Sequence, residues 1–416
     1  MPTPNPRADR HRAARTPVLL ATQLLFNIGF YAVVPFLALV LTDDFALAAT
    51  TVGLVLGVRT FAQQGMFLVG GVLADRFGAR RMVLLGCAVR VSGLVLLAAA
   101  LMLATPVLAL FVAGTVLTGL GGALFSPGLN VLLAEAERRR PDRSRSRASL
   151  FAWLSIAGEL GAVAGPLVGA ALFGWGFATV ALCGAGFFVA IGLFLALALP
   201  HDRQARPLRG GTGRRRRWWA LSDRRFVAFS SAHAADLLAY NQLYLALPLA
   251  LAQTADPAGA TALMFACVSA LTLALQLPIA RWCTRVGAPT ALRTGYLTAA
   301  TGFLVAAGGS LATGSEADRV AVVVVAAALV TLGHMTTNPT ALSLVPGFAR
   351  TRPTGSYFGL LATCGGVAVL VGNLIAGALL TSDATTPAAW LFLAVPLVVA
   401  AISAPRFAAG TRATPR

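Results

Sequence analysis

An apolar run of about twenty residues recurs along the whole chain, each time followed by a short polar segment, and this pattern narrows the possible folds sharply. Apolar runs of roughly 10–14 residues suit the core of a soluble domain, whereas crossing ~30 Å of hydrocarbon takes ~20. The bilayer offers no water to unpaired backbone groups, so a spanning segment of this kind closes its hydrogen bonds internally, as a helix. Charge content agrees: 12% of residues are charged and 57% are hydrophobic, where a soluble domain carries about a quarter charged. Mean hydropathy is +0.77.

The runs fall at 17–41, 51–73, 82–104, 106–134, 149–175, 178–199, 226–252, 258–282, 291–313, 320–345, 355–382 and 386–405. The first is too long for a signal-peptide core and reads as a span. The expected fold is therefore an all-α integral membrane protein of twelve transmembrane helices. Its expected parts are an N-terminal tail (1–16), a six-helix bundle (17–199), a basic linker (200–225), a second six-helix bundle (226–405) and a C-terminal tail (406–416).

A net charge of +18 invites a nucleic-acid reading, which the distribution of charge excludes. All 33 basic residues are Arg, scattered between apolar runs with no separate basic domain. The five cysteines (Cys87, Cys183, Cys267, Cys283 and Cys364) stand singly, so neither a metal site nor a disulfide framework is expected. If the N-terminus is cytoplasmic, 30 of the 33 Arg lie on the inner side. The outer loops then hold Arg319 beside Asp43, Asp44, Asp256, Glu316, Asp318 and Asp383, and Arg59 and Arg90 fall inside runs. This asymmetry places the chain in the inner (plasma) membrane with both termini cytoplasmic. The linker, with Arg214 to Arg217 and Trp218-Trp219, reads either as a segment lying on the anionic leaflet or as a plain topogenic loop.

The halves echo each other at an offset of about 209. Asn27 and Tyr31 correspond to Asp236 and Tyr240, and the Asp75–Gly78 segment to Thr284–Gly287. With small slips, Gly121, Pro127 and Gly165 correspond to Gly333, Pro339 and Gly372. Two repeats with a site near the midplane form a transporter architecture.

The stretch Gly70 to Arg81, containing Gly71, Asp75, Arg76, Gly78, Arg80 and Arg81, resembles the signature loop of the major facilitator superfamily. Gly158, Gly161, Gly165, Pro166 and Gly169 resemble the antiporter motif of its exporters. Further similarity, through Gly57–Gly65, Pro278–Trp282 and Gly355–Gly359, points to the drug:proton antiporter branch, nearest the MdtH-type multidrug resistance transporters. One departure is Thr115, where that branch usually carries the fourth-helix Arg; another is Thr284, where the first half has Asp75. The resemblance implies that Asp75 docks on the start of the eleventh span as an inner gate latch. A carboxylate at exposed helix amides gains ~0.3–1 kcal/mol, or about 2 when partly buried. The plainer reading of that loop is a topogenic turn. The glycines of the fifth span, four residues apart, make a flat strip for close helix packing, and Pro166 bends that span.

Charges inside spans are costly, ~2.5–3.5 kcal/mol at mid-bilayer, so they mark cavities or partners. Here they are Arg59, Arg90, Glu159 and Asp236. His233, Asp236, Tyr240 and Tyr244 share one helix face of the seventh span, and Gln23, Asn27 and Tyr31 form a matching stripe on the first. The resemblance implies that both stripes line a substrate cavity, which His334 and Asn338 would join from the tenth span. Asp236, ~15 Å inside its span, is the first proton-coupling candidate, with His233 nearby. Glu159 is the second, and Arg59 stands ready to neutralise either. A static Arg–carboxylate pair is the bland alternative, and Arg90 reads as structural.

The expected function is proton-coupled efflux of small lipophilic or cationic molecules by alternating access, carried out by a monomer. Its partners are the substrate, protons and the bilayer, without nucleic acid or cofactor. About 100 mV and one pH unit together supply ~3.7 kcal/mol per proton. No Walker A sequence and no nucleophile–base or metal constellation suggests an ATPase or an enzyme. A dedicated exporter or symporter of one metabolite remains the alternative within transport, and a transporter-like receptor or intramembrane enzyme lies outside it. The orientation has a direct test: green fluorescent protein fused after Arg416 is expected to fluoresce, and alkaline phosphatase at the same place to stay inactive.

Overall fold

The computed structural model describes residues 15–47, 49–138, 149–199, 219–251, 254–311, 315–382 and 387–408. The tail 1–14, the Arg-rich stretch 139–148, the linker from 200 to 218, Asp383 and residues 409–416 lie outside the described residues. The structure is helical throughout its described elements. Its first half runs α1 (Arg15–Tyr31), a 3-10 turn (Val34–Phe36), α2 (Leu37–Asp43), α3 (Ala49–Gln64), α4 (Phe67–Phe77), α5 (Ala79–Met102), α6 (Leu108–Arg138), α7 (Leu150–Phe173) and α8 (Phe177–Ala198). The second continues with α9 (Trp219–Ser222), α10 (Arg224–Asn241), a 3-10 turn (Gln242–Tyr244), α11 (Ala246–Leu251), α12 (Pro257–Val286), α13 (Ala288–Leu311), α14 (Glu316–Ala349), α15 (Gly355–Ser382) and α16 (Ala388–Ala408).

Among the described residues, nine helices are long and apolar enough to cross a membrane. Three of the twelve expected runs take another form. Run 51–73 is split between α3 and α4 at Gly65–Met66, and run 291–313 is the unbroken but more polar α13, with Arg293 and four threonines. Run 226–252 is split between α10 and α11, where Pro248 withholds an N–H from the Tyr244 carbonyl and a side chain competes for another. The Gln242 amide donates to the Leu238 carbonyl at 3.0 Å, the acceptor that its own backbone N–H would otherwise use. That N–H turns to Ala239 and Tyr240, tightening the chain into the 3-10 turn. A second donation, Gln242 to Asn373 at 2.9 Å, secures the arrangement, and Asn373 in turn donates to Asn241 at 2.8 Å. Hydropathy averages over such single-residue events.

The chain divides into two compact units. The first comprises 1–140, 153–218 and 353–359; the second comprises 141–152, 219–352 and 360–416. In the first unit α5 and α6 cross at glycines on both helices. A Cβ on Gly86 would stand 2.7 Å from the Gly121 carbonyl, and one on Gly121 would stand 2.8 Å from that of Gly86. α7 lays Gly161 and Gly165 on the Leu24 and Ile28 carbonyls of α1, at 2.7 and 2.8 Å from a notional Cβ, and Gly169 on that of Ala32. In the second unit α13 and α14 cross in the same manner at Gly295 and Gly333, where the notional Cβ distances are 3.0 and 2.6 Å. Gly365 and Gly372 of α15 fit against Leu237 and Leu238 of α10. Bilayer hydrocarbon gives helices no hydrophobic reason to associate, so backbone proximity and van der Waals contact hold them together.

Helix ends follow the sequence. Gly78 and Gly287, at φ 97° and 83°, reverse the chain before α5 and α13 in a region that other residues avoid. Asp223 and Asp256 cap α10 and α12, and Ser315 with Asp318 closes a capping box on α14. Arg80 donates to the Ala196 carbonyl in the last turn of α8 (2.6 Å), and Arg225 to Phe407 in that of α16 (3.0 and 2.5 Å). Gly333→Val is expected to lower stability by ~1–3 kcal/mol, the usual scale of overpacking. Thermal unfolding in detergent measures it against Gly308→Ala, where a Cβ meets nothing within 4 Å.

Candidate functional site

In the second unit a carboxylate lies inside the helix bundle with proton donors on several sides. Asp236 of α10 is 3% exposed. Its Oδ2 accepts from His334 Nδ1 at 2.9 Å, and its Oδ1 from the Thr337 hydroxyl at 2.5 Å, both on α14. His334 and Thr337 share a face because they are three residues apart. His233, one turn before Asp236 on the same helix, lies 4.0 Å away through Nε2, while its Nδ1 meets the Tyr296 hydroxyl of α13 at 2.7 Å. The direct partner of Asp236 is thus His334, on another helix, and His233 stands behind with a tyrosine of its own.

The contacts fix a consistent set of protons. With Nδ1–H given to Asp236, neutral His334 offers Nε2 as acceptor, and the Asn338 amide faces it at 3.5 Å. With the Tyr296 hydroxyl given to His233 Nδ1, the Nε2–H of that ring points toward the carboxylate. Thr337 has one proton and three acceptors in reach, Asp236, the Gly333 carbonyl at 2.9 Å and the His334 carbonyl at 3.4 Å. When Asp236 is ionised the hydroxyl serves it. When Asp236 is protonated the hydroxyl can accept from the acid and give its own proton to Gly333. The site is satisfied in both protonation states, which an isolated buried carboxylate would not be.

Aromatic rings continue from this group. Tyr240 stacks on His334 with centroids 3.9 Å apart and planes 16° apart; Tyr244 lies edge-on to Tyr240 at 6.5 Å, and Phe265 lies 5.4 Å beyond it. His334, its side chain 17% exposed, is more accessible than Asp236 and His233, and Tyr244 opens further.

The first unit gathers the other predicted residues. Gln23 donates to Asn27 at 3.3 Å, and Asn27 to the Gly158 carbonyl at 2.9 Å, so the α1 stripe is tied to the glycine strip of α7. Tyr31 packs its Cβ over Gly165 and lies within electrostatic reach of Glu159 and Arg59. Arg59 donates to Gln63 at 3.2 Å and stands over the Phe30 ring. Arg90 is 1% exposed, faces the rings of Phe26, Phe30 and Phe188, and donates to the Thr118 carbonyl at 2.9 Å. It thus reaches α6 one turn from Thr115, itself buried.

Asp75, in the polar segment after the second run, accepts from the Gly355 and Ser356 amides at 2.6 and 2.7 Å, in the first turn of α15. Helix N-termini leave such donors open. Gly71 makes room for the Gly355 carbonyl, and Gly359 for that of Phe67. Gly78 ends the helix, Arg80 caps α8, and Arg76 lies over Phe77. Burial pushes the Asp75 carboxyl up to about 6, against the pull of the two amides. The seated carboxyl therefore binds a proton more readily than one in water, whose pKa is about 4. Seating is most favoured in acid, and its proton-linked part is lost as pH rises through about 6. Hydrogen exchange of the Gly355 and Ser356 amides, corrected for intrinsic pH dependence, is expected to lose protection from pH 5 to 8; a flat profile would contradict this linkage.

Sequence reasoning reached Asp236, His334 and Asn338 but missed Tyr296, Phe265 and the pairing across helices. Tyr296 left one weak signal, as one of five tyrosines in the chain and a polar group in an apolar run. Among the described residues no cluster of three or more His, Cys, Asp or Glu is placed to hold a metal ion.

Known proteins resemble this chain in sequence and in fold. Residues 19–232 match the Major Facilitator Superfamily. The chain is 34% identical over 373 residues to an MFS-type transporter of Mycobacterium tuberculosis, covering 88% of this chain and 85% of that one. It is 34% identical over 267 residues to the multidrug resistance protein MdtH of an Enterobacter species, covering 64% and 63%. Among solved structures, a bacterial homologue of the iron transporter ferroportin superposes with a TM-score of 0.76 at 16% identity, covering 94% of this chain and 98% of that one. The E. coli fucose:proton symporter FucP gives 0.71 at 15%, covering 97% and 100%. The chain belongs to the major facilitator superfamily, and it is a multi-pass membrane transporter.

Proposed function

We propose that this transporter exports small lipophilic or cationic molecules from the cytoplasm in exchange for protons, and that Asp236 with His334 carries the proton. The observation behind this is the Asp236 group itself: a carboxylate buried in a membrane bundle, with two direct donors and a partly accessible imidazole. Intramembrane acids are retained where they work. The rings of Tyr240, Tyr244 and Phe265 offer faces to an apolar or cationic substrate beside that acid. A cation that settles on the Tyr240 face and the Asp236 carboxylate displaces His334 from both, and this links substrate to proton.

Export, rather than uptake, is supported by the glycine strip of α7 and by the similarity to multidrug resistance proteins. The inner-membrane location with both termini cytoplasmic rests on the Arg distribution. On this reading Asp75, with Gly71 and the surrounding Arg76, Arg80 and Arg81, is a latch on the cytoplasmic side, released when the start of α15 moves. Proton binding to the interior acid then pairs with substrate release by alternating access, with no cofactor beyond the proton gradient.

The test is dye transport in everted vesicles under an imposed pH gradient, with a panel of lipophilic cations. The unmodified protein is expected to accumulate dye and lose it when an uncoupler is added. Asp236→Asn is expected to cut gradient-driven transport at least about tenfold, the scale of losing a charged hydrogen-bonded partner. His334→Gln, which can still donate to Asp236 but holds no proton, is expected to flatten the pH dependence. Transport by Asp236→Asn that still follows the gradient would remove Asp236 as the coupling group. Folded protein that moves no dye would favour a single-metabolite exporter.

A further inference from the structure

Behind the Asp236 carboxylate sits an imidazole that the proton mechanism does not use. His233 is buried and Tyr296 fully so, and the Tyr296 hydroxyl meets His233 Nδ1 at 2.7 Å. The other ring nitrogen, Nε2, stands 4.0 Å from Asp236 Oδ2, the oxygen that His334 already serves at 2.9 Å. Phe229 lies parallel to the His233 ring, with planes 5° apart and centroids 6.0 Å apart, so the ring is held on its face as well as at its edge.

A phenol has one proton to give, and a neutral imidazole has one nitrogen to receive it. Among the described residues the Tyr296 hydroxyl has no hydrogen-bond partner other than His233. Its proton therefore goes to Nδ1, which leaves the ring's own proton on Nε2, facing the carboxylate. An imidazolium would carry N–H at both nitrogens. Nδ1–H would then meet the hydroxyl oxygen, and the buried hydroxyl proton would be left without an acceptor, which is costly. The pull of Asp236 on such a proton acts across 4.0 Å without a hydrogen bond, whereas the conflict at Nδ1 stands at 2.7 Å.

Among the described residues, the ionisable groups that meet this pair of side chains are Tyr296 from α13 and His334 from α14. Cys364 of α15 bonds to Ser231, two residues before His233 and so on the opposite side of α10. Cys283 of α12 turns to the Thr336 carbonyl. Arg406 lies in the last turn of α16, which Arg225 caps about two turns before His233.

We propose that Tyr296 is a positioning residue of the proton site: it keeps His233 neutral with its proton on Nε2, so that His233 orients Asp236 and never takes the transported proton. The cluster then has two imidazoles and one carboxylate, yet loads at Asp236 and His334 alone. Loading is confined to the more open end, since the His334 side chain is 17% exposed and that of His233 8%. The transported proton rests on the reading of Asp236 given above; the tautomer of His233 does not.

The tautomer is measured by nitrogen-15 NMR of the full chain in lipid nanodiscs with labelled histidine, of which the chain has four. The His233 signals are those that His233→Gln removes. In the unmodified protein Nδ1 is expected to stay bare and Nε2 protonated from about pH 5 to 8, the range in which a free imidazole changes charge. Tyr296→Phe removes the hydroxyl alone and is expected to release the ring, so that Nδ1 gains a proton in part of the population as the pH falls. An imidazolium at His233 in the unmodified protein, a proton on its Nδ1, or a spectrum that Tyr296→Phe leaves unchanged would overturn the proposal. If Tyr296→Phe does not fold, the pH series on the unmodified protein decides. A single neutral tautomer in a protein whose Asp236→Asn variant still follows the gradient would keep the Tyr296 lock and remove the coupling role of Asp236.

Discussion

The polar chemistry of the second unit depends on how closely α13 and α14 cross. Gly295 and Gly333 let the two backbones approach to a distance that any side chain would block. The residues next in sequence are Tyr296 and His334, so the crossing that brings the helices together also sets where these two side chains arise. Tyr296 reaches His233, and His334 reaches Asp236. Thr337, one turn on, has its methyl against Gly295 and its hydroxyl on the carboxylate. Packing and site are one arrangement here, and a substitution at the crossing is felt in both.

The two units solve the same packing problem in the same way and differ in polarity. The Gly86–Gly121 crossing recurs as Gly295–Gly333, and the Gly78 reversal recurs as Gly287. Asn27 stands where the second unit has Asp236. Asn27 donates to a backbone carbonyl and fixes helix packing, whereas Asp236 gathers donors from a neighbouring helix. One change from amide to acid separates a structural position from a titratable one. Buried charge is treated unequally as well, with Asp236 held by hydrogen bonds and Arg90 mainly by ring faces. Asp236 follows the rule that buried polar groups are paired, whereas Arg90 gives one N–H to Thr118 and turns the rest of its guanidinium to ring faces, with Nε and Nη1 lacking hydrogen-bond acceptors among the described residues.

The sequence made the fold legible because hydrocarbon thickness sets a minimum run length that hydropathy records directly. It could not show where a span breaks. At the interruption after α10 the Gln242 amide takes the Leu238 carbonyl and Pro248 withholds an N–H from Tyr244, events of single residues that an average over about twenty conceals. The Asp75 contact was legible because a motif and a helix start, far apart in sequence, shared one end of the expected topology. The partner of Asp236 was not. Spacing along one helix nominated His233, which sits an i,i+3 step away, but i,i+3 neighbours need not touch. The true partner depended on the rotation of α14, which no periodicity within α10 contains. Arg59 and Arg90 were visible as costly residues, and only the structure showed the Phe30 ring that their guanidinium groups share.

The shared position of Thr337, between Asp236 and the Gly333 carbonyl, has a consequence for timing. Changing from donor to acceptor takes only a rotation of one hydroxyl, a motion of picoseconds to nanoseconds, whereas helices and domains shift over microseconds to milliseconds. A proton arriving at Asp236 therefore meets no slow repacking of its immediate surroundings. Under the proposed proton exchange, the occupancy of the acid would stay in equilibrium with whichever side it faces. The pace would be set by the movement that changes sides.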